Sequence, residues 1–249
     1  SDEMTKKLKY DAKTGDYTFN GDYKVPTTNS SGTASIQMTA AANEDPTKGV
    51  SVSDPVNNIS FNMTPQYKLW QGKQDGNRII YPLGDGTGWA VYTMHAIGLK
   101  EDIVLKHATT DERSFSYKLD VGNSFAAKVQ YDGSIGIFGN TTLSGNVTTS
   151  TEKDADLLQK ARLKAPKTTL LFVIPAPTIF GKNHETSSAK ARYELKDNNL
   201  TIRVTGLASA SYPLTVDPSI YVETAQKFMR GNNESNIQFD TADALIQKG

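Results

Sequence analysis

Apolar side chains recur at every second position along much of the chain. Ile59, Phe61 and Met63 share one parity, with Ser60 and Asn62 on the other. Phe115, Tyr117, Leu119 and Val121 alternate with Ser116, Lys118 and Asp120, and the series Leu200-Ile202-Val204 and Tyr212-Leu214-Val216 repeat the pattern. Strict alternation marks strands with one face in a core and the other in water. The run Leu170-Leu171-Phe172-Val173-Ile174 is apolar on both parities, which predicts a strand covered on both faces.

The punctuation between these runs fits an antiparallel protein. Asp132-Gly133 separates two short apolar runs and predicts a two-residue hairpin turn, and Asn198-Asn199 predicts another. Gly84-Asp85-Gly86-Thr87-Gly88 joins Ile79–Leu83 to Trp89–Met94. It lacks the strand-to-helix setting of a phosphate-cradling loop, so it reads as a hairpin loop. A short hairpin is expected around Gly15 and Gly21, with loops at 26–32 and 40–49. One helix is expected near Glu152–Lys164, with Thr149 as N-cap, Glu152 closing a capping box and Pro166 ending it. Acidic residues lead and basic residues follow, which complements the helix dipole. Its apolar content is thin, so it belongs on the surface. The predicted fold is all-β, a mostly antiparallel β-sandwich or stacked sheets with one short surface helix. Residues 1–50 read as extra strands or a small subdomain, 51–218 as the main β domain, and 219–249 as a junction to a following module.

Composition narrows the function. The 249 residues carry 27 Lys and Arg against 27 Asp and Glu, and this neutrality argues against a nucleic-acid partner. No apolar run approaches the ~20 residues of a membrane span. The absence of cysteine removes disulfides, thiolate metal sites and Cys nucleophiles together. With 27 Thr, 19 Ser and 16 Asn, the profile suits an extracellular β protein more than a cytosolic enzyme. No secretory leader heads the numbered chain, so it reads as a mature fragment.

Candidate chemistry is sparse. His95, His107 and His184 are isolated, without the spacing of a metal site or a catalytic triad. Asp85 with Gly86 and Asp132 with Gly133 could offer loop oxygens to calcium, but plain turns explain both. No catalytic residue, metal ligand or cofactor is assigned. Trp70, Tyr81, Trp89 and Tyr92 flank one predicted hairpin and form a candidate ligand-binding set, since exposed rings stack on sugars or peptides. The most informative segment is Gly98–Lys106. Parity turns Glu101 inward between Leu99 and Ile103, while Lys100, Asp102 and Lys106 face water. A lone buried carboxylate is costly unless paired, so Glu101 is expected to meet a Lys, an Arg or a cluster of donors, with an ion pair favoured. A sharper alternative makes Glu101 the promoter of a Lys–Asn or Lys–Asp side-chain cross-link, as in some Gram-positive surface domains.

Four motifs follow one another in order: Gly98-Leu99-Lys100-Glu101-Asp102-Ile103-Val104-Leu105, Asp132-Gly133-Ser134-Ile135, Phe172-Val173-Ile174-Pro175-Ala176-Pro177, and Ser211-Tyr212-Pro213-Leu214-Thr215-Val216-Asp217-Pro218. The series resembles an uncharacterised β domain of large secreted bacterial surface proteins, including wall-associated repeat proteins and adhesin-like proteins of episymbiotic bacteria. The likeness covers about residues 51–240. Leu214 departs from the usual Val, and the segment Thr149–Pro166 is an insertion. The resemblance implies a noncatalytic structural or adhesive module, secreted or on the bacterial cell surface. Its partners would be neighbouring modules of the same chain, with a host-cell surface or glycan as a further one. The competing class is a carbohydrate-binding module or secreted hydrolase that uses the aromatic hairpin.

Overall fold

The structure is a computed structural model that describes residues 8–26, 33–54, 59–95, 98–139, 150–218 and 220–221. In chain order the first strands are β1 (Leu8–Asp11), β2 (Asp16–Pro26), β3 (Thr33–Asn43), β4 (Val50–Asp54) and β5 (Ile59–Pro65). Next come β6 (Lys73–Asp75), β7 (Arg78–Pro82), β8 (Gly88–His95), β9 (Gly98–Leu105) and β10 (Arg113–Asp120). Then follow β11 (Ala126–Val129), β12 (Ile135–Gly139), helix α1 (Glu152–Lys164), β13 (Thr169–Ile174) and β14 (Thr178–Phe180). The series closes with β15 (Lys190–Lys196), β16 (Asn199–Thr205), β17 (Leu214–Asp217) and β18 (Ile220–Tyr221).

Every pairing among the described strands is antiparallel, as the alternating pattern predicts. One sheet runs β1-β2-β3-β4-β5-β10-β16-β15, a second runs β14-β17-β9-β8-β7-β6, and β11-β12-β13 form a third. The inward faces of the two large sheets share one hydrophobic core, which includes Phe19, Phe61, Phe115 and Ile202 from one sheet and Ile79, Met94, Leu99 and Val216 from the other. Polar bonds cross the same layer. The Tyr81 hydroxyl of β7 donates to the Asn43 carbonyl of β3 at 2.6 Å. The fold is an all-β sandwich with one helix, as the sequence predicts.

Several local expectations shift. The Asp132-Gly133 hairpin has three loop residues, not two: the Gly133 amide donates to the Gln130 carbonyl and the Gln130 amide to Ser134. Gly133 sits at φ 84°, the left-handed residue that such a loop requires. The turn before β16 is Asp197-Asn198, one residue earlier than expected, since Lys196 pairs with Asn199. Gly15 makes the β1–β2 turn, but Gly21 lies inside β2 and pairs with Met38. The predicted loop from residue 40 is instead the end of β3, where Ala40 and Ala42 are 2% exposed. Small side chains there let the facing layer pack closely, so low hydrophobic bulk did not signal a loop.

Helix α1 occupies the expected span, but its cap differs. Thr149 lies outside the described residues, and Thr151 is the N-cap, its hydroxyl oxygen accepting from the Asp154 amide at 3.1 Å. Leu157 and Leu163 are exposed, in keeping with a surface helix. In β13, Val173 and Ile174 are both buried on opposite parities, so its described end is covered on both faces. Residues 8–50 supply β1 to β3, which continue through β4 into the large sheet. The tail beyond residue 221 lies outside the described residues.

Candidate functional site

Strand β9 lies between β8 and β17. Its inward side chains, Leu99, Glu101, Ile103 and Leu105, are each 0% exposed. Parity therefore places Glu101 correctly, but the favoured ion pair is replaced by phenols. Glu101 Oε1 accepts from the Tyr92 hydroxyl at 3.0 Å and from the Tyr117 hydroxyl at 2.5 Å. Because Tyr117 commits its proton to Glu101, the 2.6 Å bond between Tyr67 and Tyr117 is one that Tyr67 donates. Tyr67 packs edge-on against Phe115 and Tyr117, with ring centroids 5.3 Å away in each case. A tyrosine brings its donor on a ring that fills core volume, whereas a cation here would add a second desolvated charge.

The cage spans the sandwich. Tyr92 comes from β8 beside β9, and Tyr117 reaches across from β10 in the opposite sheet. Burial pushes Glu101 up to about 7, against the pull of the Tyr117 and Tyr92 hydrogen bonds, and the charge of Asp102 pushes it further up. Burial, then the charge of Glu101, holds Tyr92 and Tyr117 well above the ordinary phenol range. Glu101 Oε2 is buried without a hydrogen-bond partner among the described residues. A carboxyl titrating near neutrality suits acid–base catalysis, but a fully buried one meets substrate only if the core opens.

The outer face of β9 is not the solvent-facing surface that the alternation predicted. Lys100 Nζ stands 3.5 Å from Asp102 Oδ1 and 3.3 Å from Asp217 Oδ2, with side chains only 24%, 17% and 11% exposed. Burial first, then the charge of Asp217, pushes Asp102 up to about 6, and Lys100 opposes them. Val216 pairs with Ile103 and Ile220 with Leu99, so the two paired stretches share one register. Asp217 accordingly stands across from Asp102. Parity had put both aspartates on polar faces; that they share one patch depends on a strand pairing distant in sequence.

The aromatic set divides. Tyr81 and Tyr92 are each 1% exposed and pack edge-on at 5.5 Å, so neither ring is open to a ligand. Trp70 is 53% exposed with Lys68 Nζ 4.3 Å from its ring centroid, and Trp89 is half-buried beneath Lys106 at 5.1 Å. His107 and His184 are exposed. The side chain of His95 lies outside the described ones. Among the described residues no three His, Asp or Glu side chains converge on a metal position. A separate open groove of about 270 Å³ is lined by Asp16, Asn43, Lys48, Asn62, Lys118 and Asp120 on the large sheet.

The two Asp-Gly loops organise themselves. Asp132 Oδ1 accepts from the Ser134 amide at 3.0 Å and from its hydroxyl at 2.5 Å. Asp85 Oδ1 accepts from the Thr87 amide and hydroxyl, and its Oδ2 accepts from Arg113 at 2.5 Å. Arg113 also donates to Thr87 and lies 4.8 Å from the Phe115 ring centroid. Arg113→Ala is expected to lower stability by about 1 kcal/mol, because it removes a partly exposed ion pair together with a stacked cation. Urea unfolding checks this; a loss under a few tenths would mean that the loop holds itself.

Fold and site together define an antiparallel β-sandwich with a raised carboxyl, Glu101, enclosed by its own core. Beyond that class, no family model matches the chain, and no curated protein matches it in sequence.

Proposed function

We propose that the chain is a noncatalytic structural and adhesive module of a bacterial cell-surface protein, which positions neighbouring modules of the same chain. The observation that carries this reading is the enclosure of Glu101. The core carboxyl tuned toward neutrality is 0% exposed and held by the hydroxyls of Tyr92 and Tyr117, an arrangement that ties two sheets together rather than one open to substrate. The ordered motifs from Gly98 to Pro218 and the Thr, Ser and Asn content support an exported β module. Among the described residues no helix is long and apolar enough to cross a membrane.

Protease treatment of intact source cells tests the location. Release of fragments of this chain without lysis is the expected result; protection until lysis contradicts a surface location. A hydrolase panel is expected to show no turnover, and activity abolished by substitution of a residue in this chain would contradict the noncatalytic reading.

Trp70 favours one second reading, a carbohydrate-binding module. Trp70 is 53% exposed, which leaves its ring open to stacking on a sugar. On that reading a glycan array gives reproducible binding that Trp70→Ala or Trp89→Ala abolishes. Trp70→Ala should leave stability within about 0.5 kcal/mol, as is usual for a surface change. Unaltered sugar binding in both variants would remove the indoles from the account.

A further inference from the structure

Lys100, Asp102 and Asp217 meet on the outer face of β9 and β17, and their chemistry goes beyond an ion triad. We propose that Lys100 and Asp217 condense to an intramolecular isopeptide bond, with Asp102 as the carboxyl group that moves the protons. The inference stands independently of the surface-module reading.

Geometry supplies the reactants. Lys100 Nζ is 3.3 Å from Asp217 Oδ2, and the two residues lie on neighbouring chain segments paired in the same register on either side, at Val216↔Ile103 and at Ile220↔Leu99. Side-chain rotation alone carries Nζ toward Cγ, because the backbone already fixes which groups face each other. Such fixed encounter removes most of the entropy cost of joining two groups. The Tyr193 hydroxyl donates to the Pro218 carbonyl at 2.9 Å, which anchors the chain immediately after Asp217.

Asp102 supplies the third part. Its Oδ1 is buried, has no hydrogen-bond partner of good geometry among the described residues, and lies 3.5 Å from Lys100 Nζ, an ion-pair distance. Burial and the neighbouring Asp217 charge push this carboxyl up to about 6, so it exchanges protons readily near neutral pH. Lys100 and the more distant His184 are the charges that act against this rise. The three side chains are 24%, 17% and 11% exposed, which limits their contact with bulk water.

The step balances without an added reagent. The ammonium of Lys100 passes one proton through Asp102 to the Asp217 carboxylate, and the free amine attacks Cγ of the neutral carboxyl so formed. The C–N bond forms, a second proton passes from the nitrogen through Asp102 to the departing oxygen, and the C–OH bond breaks to release water. Ammonium plus carboxylate thus becomes one amide plus one water. The product links β17 to β9, and it closes a covalent loop that runs from Lys100 to Asp217.

A Glu101-promoted cross-link, the alternative the sequence offered, does not run through Lys100. Glu101 faces phenols in the core, and Lys100 faces carboxylates on the opposite surface of β9.

Intact-mass measurement on the folded, then denatured, full chain tests the proposal. The expected mass is lower than the sequence mass by one water, with trypsin unable to cut after Lys100 and a branched peptide joining Lys100 to Asp217. Lys100→Arg and Asp217→Ala should each restore the full sequence mass, and Asp102→Asn should leave most of the chain uncondensed after the same incubation. Circular dichroism confirms that each variant is folded. A succinimide at Asp85-Gly86 or Asp132-Gly133 also loses one water, so a loss that persists in Lys100→Arg overturns the proposal. An unshifted wild-type mass, or cleavage after Lys100 at the normal rate, overturns it without recourse to any variant.

Discussion

Stability is expected to fall as pH rises from about 5 to about 7, by on the order of 3 kcal/mol in total. Glu101 titrates at an ordinary 4.5 in the unfolded chain and near 7 when folded. Between these values the folded state keeps a proton that the unfolded state has released. Folding therefore takes up a proton, and each rise in pH favours the unfolded chain. Below the window both states are protonated, and above it both are ionised, so the slope vanishes at either end. In the chain with Lys100 and Asp217 uncondensed, Asp102, raised to about 6 from 3.8, adds a slope of the same sign that begins at lower pH. Glu101→Gln should remove the Glu101 share and leave the Asp102 share. Urea midpoints measured across the range check this; a midpoint that is flat or rises between pH 5 and pH 7 is incompatible with a buried, raised carboxyl.

Glu101→Ala is expected to cost about 3 kcal/mol, from two sources that act together. The substitution leaves a cavity between two sheets at a position that is 0% exposed. It also strands the Tyr92 and Tyr117 hydroxyls, both of which donate to Glu101 Oε1. Tyr117 can fall back on Tyr67, 2.6 Å away, whereas the Tyr92 hydroxyl donates to Glu101 and has no second hydroxyl partner among the described residues. Tyr92→Phe removes one donor and leaves Glu101 with the other, so its cost should be nearer 1 kcal/mol. Chemical denaturation of the three proteins at one pH settles the order. Equal losses in Glu101→Ala and Tyr92→Phe would mean that the cavity and the second orphaned phenol count for little.

Much of this arrangement was legible from parity. The alternation in Gly98–Leu105 puts Glu101 inward, and that in Arg113–Asp120 puts Tyr117 inward beside Phe115 and Leu119. What the alternation cannot express is which strand faces which. Tyr117 meets Glu101 only because β10 lies in the opposite sheet, and Asp217 meets Lys100 only because β17 pairs with β9. The same blindness explains the favoured ion pair: a buried acid signals that donors are near, but phenols and cations satisfy that need alike. Tyr81 and Tyr92 illustrate the converse. Their hairpin position was compatible with exposure, and their parity with Ile79 and Met94 decided for the core.

Turn chemistry was read to within a residue, because glycine and asparagine tolerate several loop lengths. Asp197, at φ 53°, takes the left-handed turn position that the Asn198-Asn199 pair was expected to fill. Ala40 and Ala42 were misread for a physical reason: small residues between bulky strands look like loop in a composition count, yet close approach of two layers selects them.

The most direct measurement of the central claim, that the tuned carboxyl is a sealed structural group, is a carbon-13 NMR titration of the Glu101 side chain in the folded protein, assigned by its loss in Glu101→Gln. A midpoint near 7, well above the ordinary 4.5, is the result the phenol cage predicts. A midpoint at or below 4.5 would show a solvated or cation-paired carboxylate and contradict the enclosure on which the noncatalytic reading rests.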